Sequence, residues 1–339
     1  MTRAWAIDGG FGLAHLTLVE RPVQAPGPGQ VRVRITAASL NYRDWLMVTG
    51  AYDPKLRTPR VPGSDACAVV EAVGEGVDDV AVGERVMPIF APGWLDGPPS
   101  REKLQGTLGH HRDGTFAERM IVDAHGLVRP PVWLTDAEVA CLPCAAVTAW
   151  NALVTLGAVQ AGDVVLVQGS GGVSIAALRI ARLHGARVIA TTGRADRIDR
   201  LRALGADTVL GTHEIPDWGR AAKEATGGRG VDHVVDVGGA GTLEQSLRAV
   251  RVGGTVSLIG VLGGAKVAVP LVAVLMQQVR VQGVIVGSRA TAESLLRAFD
   301  LHQERPVVDR VFGFDAVPEA LQWLADGRHF GKIVIAASA

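Results

Sequence analysis

Val164-Val165-Leu166-Val167-Gln168-Gly169-Ser170-Gly171-Gly172-Val173-Ser174 is the stretch whose reading decides the fold of this 339-residue chain. An apolar, β-branched run passes through a glycine-rich turn into residues with the apolar spacing of a helix. Gly169 permits the tight turn, Gly171 and Gly172 let the backbone approach a pyrophosphate, and the unpaired amides that open the helix bind it. Ser174 stands where the fingerprint usually has its last glycine. By itself the turn is only a strand-to-helix connection, so its meaning depends on what surrounds it.

Outward from this turn, buried β-runs alternate with helical stretches, the signature of repeated βαβ units and a parallel sheet. Strands are expected over 163–168, 187–191, 207–210, 231–236, 254–259 and 280–286, and helices most clearly over 173–184 and 194–204, each followed by a glycine that can close it. That set makes a doubly wound α/β dinucleotide fold, assigned here to residues 123–289. Residues 1–122 are rich in Gly, Pro and short β-branched runs such as Val31–Ile35 and Ala68–Val73, which predicts antiparallel strands joined by turns. A helix over 291–302 and a strand over 332–336 return the chain, as residues 290–339, to that β-rich domain.

At the end of the second Rossmann strand, where an NAD enzyme places an acid on the ribose diol, the chain reads Thr191-Thr192-Gly193-Arg194. Thr192 can donate a hydrogen bond, and Arg194 with Arg197 can meet a 2′-phosphate, so NADPH is the expected cofactor. The two arginines also have a plainer reading as the exposed first turn of a helix.

Composition narrows the rest. The 34 basic and 34 acidic side chains leave no net field to gather nucleic acid or an anionic membrane, which points to a small-molecule substrate. The richest apolar stretch, residues 266–276, is interrupted by Pro270 and is too short to span a bilayer. No secretory signal opens the chain, and three cysteines suit the cytoplasm.

The motifs together resemble the medium-chain dehydrogenase/reductase superfamily, most nearly its zinc-independent quinone oxidoreductase and enone reductase branch. The resemblance rests on Ala37-Ala38-Ser39-Leu40-Asn41-Tyr42-Arg43-Asp44, Pro62-Gly63-Ser64-Asp65, Leu142 to Trp150, Gly171-Gly172-Val173 and Gly331-Lys332-Ile333-Val334. It implies a GroES-like catalytic domain formed by both chain ends. The zinc enzymes of the superfamily have a Cys, a His and a third ligand where this chain has Asn41, Ser64 and Cys144, so no metal is expected. The structural-zinc cysteines also have no counterpart in residues 90–114. Cys141-Leu142-Pro143-Cys144 reads as a pair of packing cysteines, and His110-His111 as solvated loop residues.

Without zinc, acceptors that spread the incoming charge over an enolate or hydroquinone suit the site, and hydride transfer from NADPH to a quinone or α,β-unsaturated carbonyl is the expected reaction. Tyr52 and Tyr42, in the loop that the resemblance places over the nicotinamide, are the candidate donors, and Asn41 holds nicotinamide or the substrate carbonyl. Asp44 has a structural reading, accepting backbone hydrogen bonds in its turn. By the same resemblance Thr148, Ser170, Gly171, Gly172, Val173, Gly238, Gly260, Val261, Gly287, Ser288 and Lys332 line the cofactor groove. Trp94 and residues 91–100 shape the substrate pocket. Pairing of the edge strand 280–286 across a two-fold axis makes a homodimer. Two rival classes stay open: an alcohol dehydrogenase or enoyl-CoA reductase on the same scaffold, and a non-catalytic NADPH-binding redox sensor.

Overall fold

A computed structural model describes residues 1–337, which divide into two compact units, Thr148–Val286 and Met1–Val147 with Gly287 onward. The strands of the latter are β1 (Thr2–Ile7), β2 (Leu16–Arg21), β3 (Gln30–Ser39), β4 (Asp65–Val73), β5 (Arg85–Pro88), β6 (Arg119–Asp123) and β7 (Leu127–Val128). Those of Thr148–Val286 are β8 (Val164–Gln168), β9 (Arg187–Thr192), β10 (Thr208–Gly211), β11 (Val231–Asp236), β12 (Val250–Leu258) and β13 (Arg280–Gly283). The chain end adds β14 (Val308–Gly313) and β15 (Lys332–Ala336) to the first group.

In the nucleotide unit every pairing is parallel and the order is β10-β9-β8-β11-β12-β13, the doubly wound arrangement with its crossover point between β8 and β11. All five residues of β8 are buried because the sheet is covered on both faces, and this is why the run Val164–Gln168 shows no polar alternation. The helix Gly172–Leu183 buries Ser174, Ile175, Ala177, Leu178, Ile180 and Ala181, the three-and-four spacing of one face. Gly185, at φ 73°, turns the chain out of that helix in the left-handed region. The expected strand over 280–286 is shorter: β13 stops at Gly283, and Val286 at φ 39° breaks the extended backbone.

The other unit is built on β3, which pairs antiparallel with β4, β6 and β15, while β14 runs parallel to β15. Val31, Val33 and Ile35 of β3, Ile333 and Ile335 of β15, and Phe116 share its core. The helix Arg289–His302 belongs to this unit as well.

The boundary expected at residue 122 falls at residue 147 instead. Two elements carry the difference. β7 pairs antiparallel with β5, and the helix Asp136–Ala140, capped by the Thr135 hydroxyl accepting from Glu138 N–H, lies against β3 and β4. Among the described residues no helix is long and apolar enough to cross a membrane.

Candidate active site

On the nucleotide unit the glycine-rich turn takes the shape its sequence requires. Gly169 sits at φ 74°, a conformation that strains any side chain. Gly171 precedes the helix with no side-chain cap, which leaves the first amides of Gly172 and Val173 open to an anion. Ser174, where a glycine is usual, donates from Oγ to the Gln168 carbonyl at 2.5 Å and so ties the helix back to its strand. These features fit a bound dinucleotide.

The residues after β9 divide. Arg197 is buried and donates from Nη1 to Ser170 Oγ at 2.8 Å, which brings it onto the glycine-rich turn. Arg194 is exposed, and both Nε and Nη2 lie 3.1 Å from the Asp196 carboxylate. Asp196, two residues beyond the 191–194 stretch, partly neutralises Arg194. Thr192 is buried, and its hydroxyl accepts from Arg194 N–H at 3.1 Å, which holds the Gly193 turn.

Across the crossover point the sequence reading misses an anchor. The buried Asp236 carboxylate accepts from Gly238 N–H (3.0 Å), Gly239 N–H (2.9 Å), Thr242 Oγ1 (2.7 Å) and Ser246 Oγ (2.6 Å). Gln168 joins the network, donating to Ser246 Oγ at 2.7 Å. Gly238 and Gly260 owe their identity to crowding, since a Cβ would lie 2.5 Å from the Thr242 side chain and 2.4 Å from the Val237 carbonyl, respectively. Val261 is 47% exposed, and Thr148 is buried.

In the other unit, of the three residues expected at the reaction centre, only Asn41 meets a buried cation. The Lys332 ammonium lies 2.6 Å from the Leu40 carbonyl, 2.6 Å from Asn41 Oδ1 and 3.4 Å from Asp65 Oδ2. Lys332 and Asp65 are both buried, and Asp65 also accepts from Ser64 Oγ (3.0 Å), with Ser39 Oγ 3.3 Å away. The sequence reading put Lys332 in the groove but gave Asp65 no role. A carboxylate buried on a β-strand shows itself only once the fold closes over it.

Asn41 precedes the helix Tyr42–Val48, so Tyr42 starts a helix rather than lying in a loop; it is 37% exposed. Asp44, fully buried, accepts the Asn41 N–H at 2.8 Å, the structural part foreseen for it. Burial pushes its carboxyl up to about 6, against the opposing pull of Arg43. Tyr52 is 42% exposed, and its ring lies between His110, edge-on at 5.6 Å, and the Arg43 guanidinium at 5.0 Å. Arg43 donates to the Leu108 carbonyl, yet its Nε and Nη2 are sealed from solvent without a partner, a feature the sequence does not announce. Gly287 admits no Cβ beside Thr291, and Ser288 caps the helix Arg289–His302, its Oγ accepting from Thr291 N–H. Trp94 is buried and pins its loop through Nε1 to the Gly97 carbonyl.

His110 is not solvated as expected. Its Nε2 meets Asp53 Oδ2 at 2.9 Å and its ring packs on His111. Burial pushes the Cys141 and Cys144 thiols up to about 12 and Cys67 to about 11, so none is a thiolate at neutral pH. Among the described residues no three His, Cys, Asp or Glu side chains gather to hold a metal. An amide, a hydroxyl and a protonated thiol at positions 41, 64 and 144, with an ammonium on the amide oxygen, are a poor donor set for zinc.

Residues 27–132 match the family model described as an alcohol dehydrogenase GroES-like domain, and residues 172–300 match that of a zinc-binding dehydrogenase. A Schizosaccharomyces pombe zinc-type alcohol dehydrogenase-like protein is 37% identical over 92% of each chain. An acryloyl-coenzyme A reductase of Sulfurisphaera tokodaii is 26% identical over 94% of this chain and 95% of its own. Among solved structures, a putative alcohol dehydrogenase of Sinorhizobium meliloti is 43% identical with a TM-score of 0.92, covering 99% of this chain and 98% of its own. An NAD-dependent alcohol dehydrogenase is 36% identical with a TM-score of 0.91, covering 99% and 100%. The crotonyl-CoA carboxylase/reductase AntE, in complex with NADP, is 25% identical with a TM-score of 0.90, covering 99% and 94%.

Proposed function

This chain belongs to the medium-chain dehydrogenase/reductase superfamily and is an oxidoreductase of that family, and we propose that it transfers hydride from NADPH, without zinc, to a quinone or an α,β-unsaturated carbonyl. One observation carries the reading: the Lys332 ammonium, 2.6 Å from the Asn41 amide oxygen, puts a fixed positive charge beside a position where the zinc enzymes have a ligand. A divalent ion beside an ammonium is repelled, and the amide and hydroxyl at positions 41 and 64 bring no charge to offset that repulsion.

The bound nicotinamide supplies the hydride. Residues of this chain would hold it through the open amides of Gly172 and Val173, the Ser170–Arg197 pair at the turn and Arg194 at the ribose. With no metal to polarise the acceptor, developing charge must be met by hydrogen-bond donors, and those at hand are the Asn41 amide and the exposed phenols of Tyr42 and Tyr52. An acceptor that spreads its charge by conjugation asks least of such donors.

A second reading, reduction of an enoyl thioester, is favoured by the acryloyl-coenzyme A reductase and crotonyl-CoA carboxylase/reductase among the similar proteins. It keeps the same chemistry, hydride addition to a conjugated double bond, and changes only what the acceptor carries. The proposal includes a cytoplasmic homodimer: all three cysteines are free, and an exposed apolar helix beside the edge strand offers a self-complementary face. Turnover of NADPH against quinones, enones, enoyl-CoA thioesters and simple aldehydes separates the acceptors. Quinones or enones are expected to be reduced and aldehydes ignored, whereas reduction of aldehydes alone contradicts the proposal.

A further inference from the structure

We infer that Lys332 is a positioning residue that fixes the orientation of the Asn41 side chain, so that Asn41 Nδ2 is presented as the hydrogen-bond donor to the acceptor oxygen. The inference rests on the proposed hydride transfer for what that donor meets, but not for the orientation itself. An ammonium donates and never accepts, so the atom 2.6 Å from Lys332 Nζ is the amide oxygen of Asn41. The nitrogen is then turned the other way. One of its two N–H groups lies toward Ser64 Oγ at 3.4 Å, and the other has no partner among the described residues.

The charges behind Lys332 explain why the arrangement holds. Asp65, buried 3.4 Å from the ammonium, pairs with it in a place closed to water. Asp65 is itself held by the Ser64 hydroxyl at 3.0 Å, while the Ser39 hydroxyl beside it gives its proton to the Ala140 carbonyl at 2.7 Å. The Leu40 carbonyl takes a second ammonium proton at 2.6 Å. Remove Lys332 and that carbonyl loses its donor. Asn41 Oδ1 loses the ammonium as well, and the amide is then free to turn over with its oxygen facing outward.

Orientation matters because of where the electrons go. When hydride adds to the β-carbon of an enone, the π pair of the double bond shifts and the carbonyl oxygen takes on negative charge. The α-carbon later takes a proton from water. An outward N–H stabilises that oxygen and an outward C=O repels it.

Three proteins test this: wild type, Asn41→Asp and Lys332→Met. Aspartate suits the position before a helix and pairs with Lys332, so a merely structural Asn41 tolerates the exchange. A donor does not: kcat for N41D is expected to fall about 100-fold with the acceptor KM little changed. K332M is expected to lose about tenfold in kcat, the worth of one misplaced hydrogen bond. A second readout needs neither cofactor nor turnover. The Asn41 side-chain NH2 pair in a 15N–1H spectrum of the ligand-free protein, assigned by its absence in N41D, should move in K332M. If K332M does not fold, Lys332→Met with Asp65→Asn removes both charges together. The inference is overturned if the NH2 pair is unmoved on removing Lys332, or if N41D keeps kcat within threefold of wild type. Should wild type reduce no acceptor at all, the proposed function fails, and the NH2 pair still decides whether Lys332 orients Asn41.

Discussion

At the scale of single residues, the cofactor preference depends on a contest between Arg194 and its neighbour Asp196. The guanidinium that would meet a 2′-phosphate already spends two N–H groups on a carboxylate, though both side chains are about half-exposed or more, so water and salt weaken the pair. On the proposed reading a 2′-phosphate, with more charge and a better fit, would displace Asp196. Arg194→Ala is therefore expected to raise the NADPH KM about tenfold and leave that for NADH within twofold. Asp196→Ala should sharpen the preference for NADPH. Equal effects on both cofactors in R194A would show that the arginine does not read the phosphate. Asp196 was legible in the sequence, two residues after Arg194, but not as a partner. A short turn has to fold that carboxylate back before the pairing exists.

The short helix Tyr42–Val48 carries a pH signature at the scale of the element. Asp44, buried in its first turn, has a carboxyl raised from 3.8 to about 6 because burial disfavours its charge. The folded form thus holds its proton more tightly than the unfolded chain does. The contribution of Asp44 to stability is highest below pH about 4, falls as the pH rises to about 6, and is level above, a loss of about 3 kcal/mol. Asp44→Asn, which still accepts the Asn41 N–H, should gain on wild type across that interval in thermal melts; parallel melting curves would contradict it. Asp232 on β11 acts in the opposite sense. Burial pushes its carboxyl up, but Arg229, Arg251 and the Val164 N–H outweigh that and hold it well below the usual range. Its contribution is present above the ordinary carboxylate pKa and is lost in acid.

Elements were also what the sequence disclosed best. β8, β11, β15 and the helix Gly172–Leu183 follow from apolar period and flanking glycines, within a residue at each end. What stayed hidden is polar and buried: Asp65 at the start of β4, Asp236 beneath the 238–242 turn, and the unpartnered nitrogens of Arg43. Periodicity reports where greasy residues recur. It says nothing of a single carboxylate whose partner arrives from the far end of the chain, as Lys332 does for Asp65.

At the scale of the molecule, the boundary lay later than composition suggested, because β7 and the helix Asp136–Ala140 complete the first sheet rather than begin the second. The surface proposed for self-association also shifts. β13 is the edge of the parallel sheet as foreseen, yet of its residues only Val281 is an exposed large hydrophobic. The apolar area is the neighbouring helix Leu271–Met276, where Leu271, Val272, Leu275 and Met276 are each more than 70% exposed. Such a patch costs solubility unless covered, and a second copy brought to β13 would cover it. Leu271→Asp with Leu275→Asp is expected to turn a dimer into a monomer in sedimentation, with the melting temperature lowered. An unchanged mass would remove this helix from the interface.

Zinc independence is the proposal on which the account of the site turns, and it is argued from Lys332 beside Asn41 at a position where the zinc enzymes have a ligand. The measurement that bears on it most directly is NADPH oxidation by protein stripped of metal with a strong chelator, with an enone or quinone as acceptor, before and after zinc is restored. The account predicts full turnover by the stripped protein and no gain on adding zinc. Loss of turnover on stripping, recovered with zinc, would contradict it.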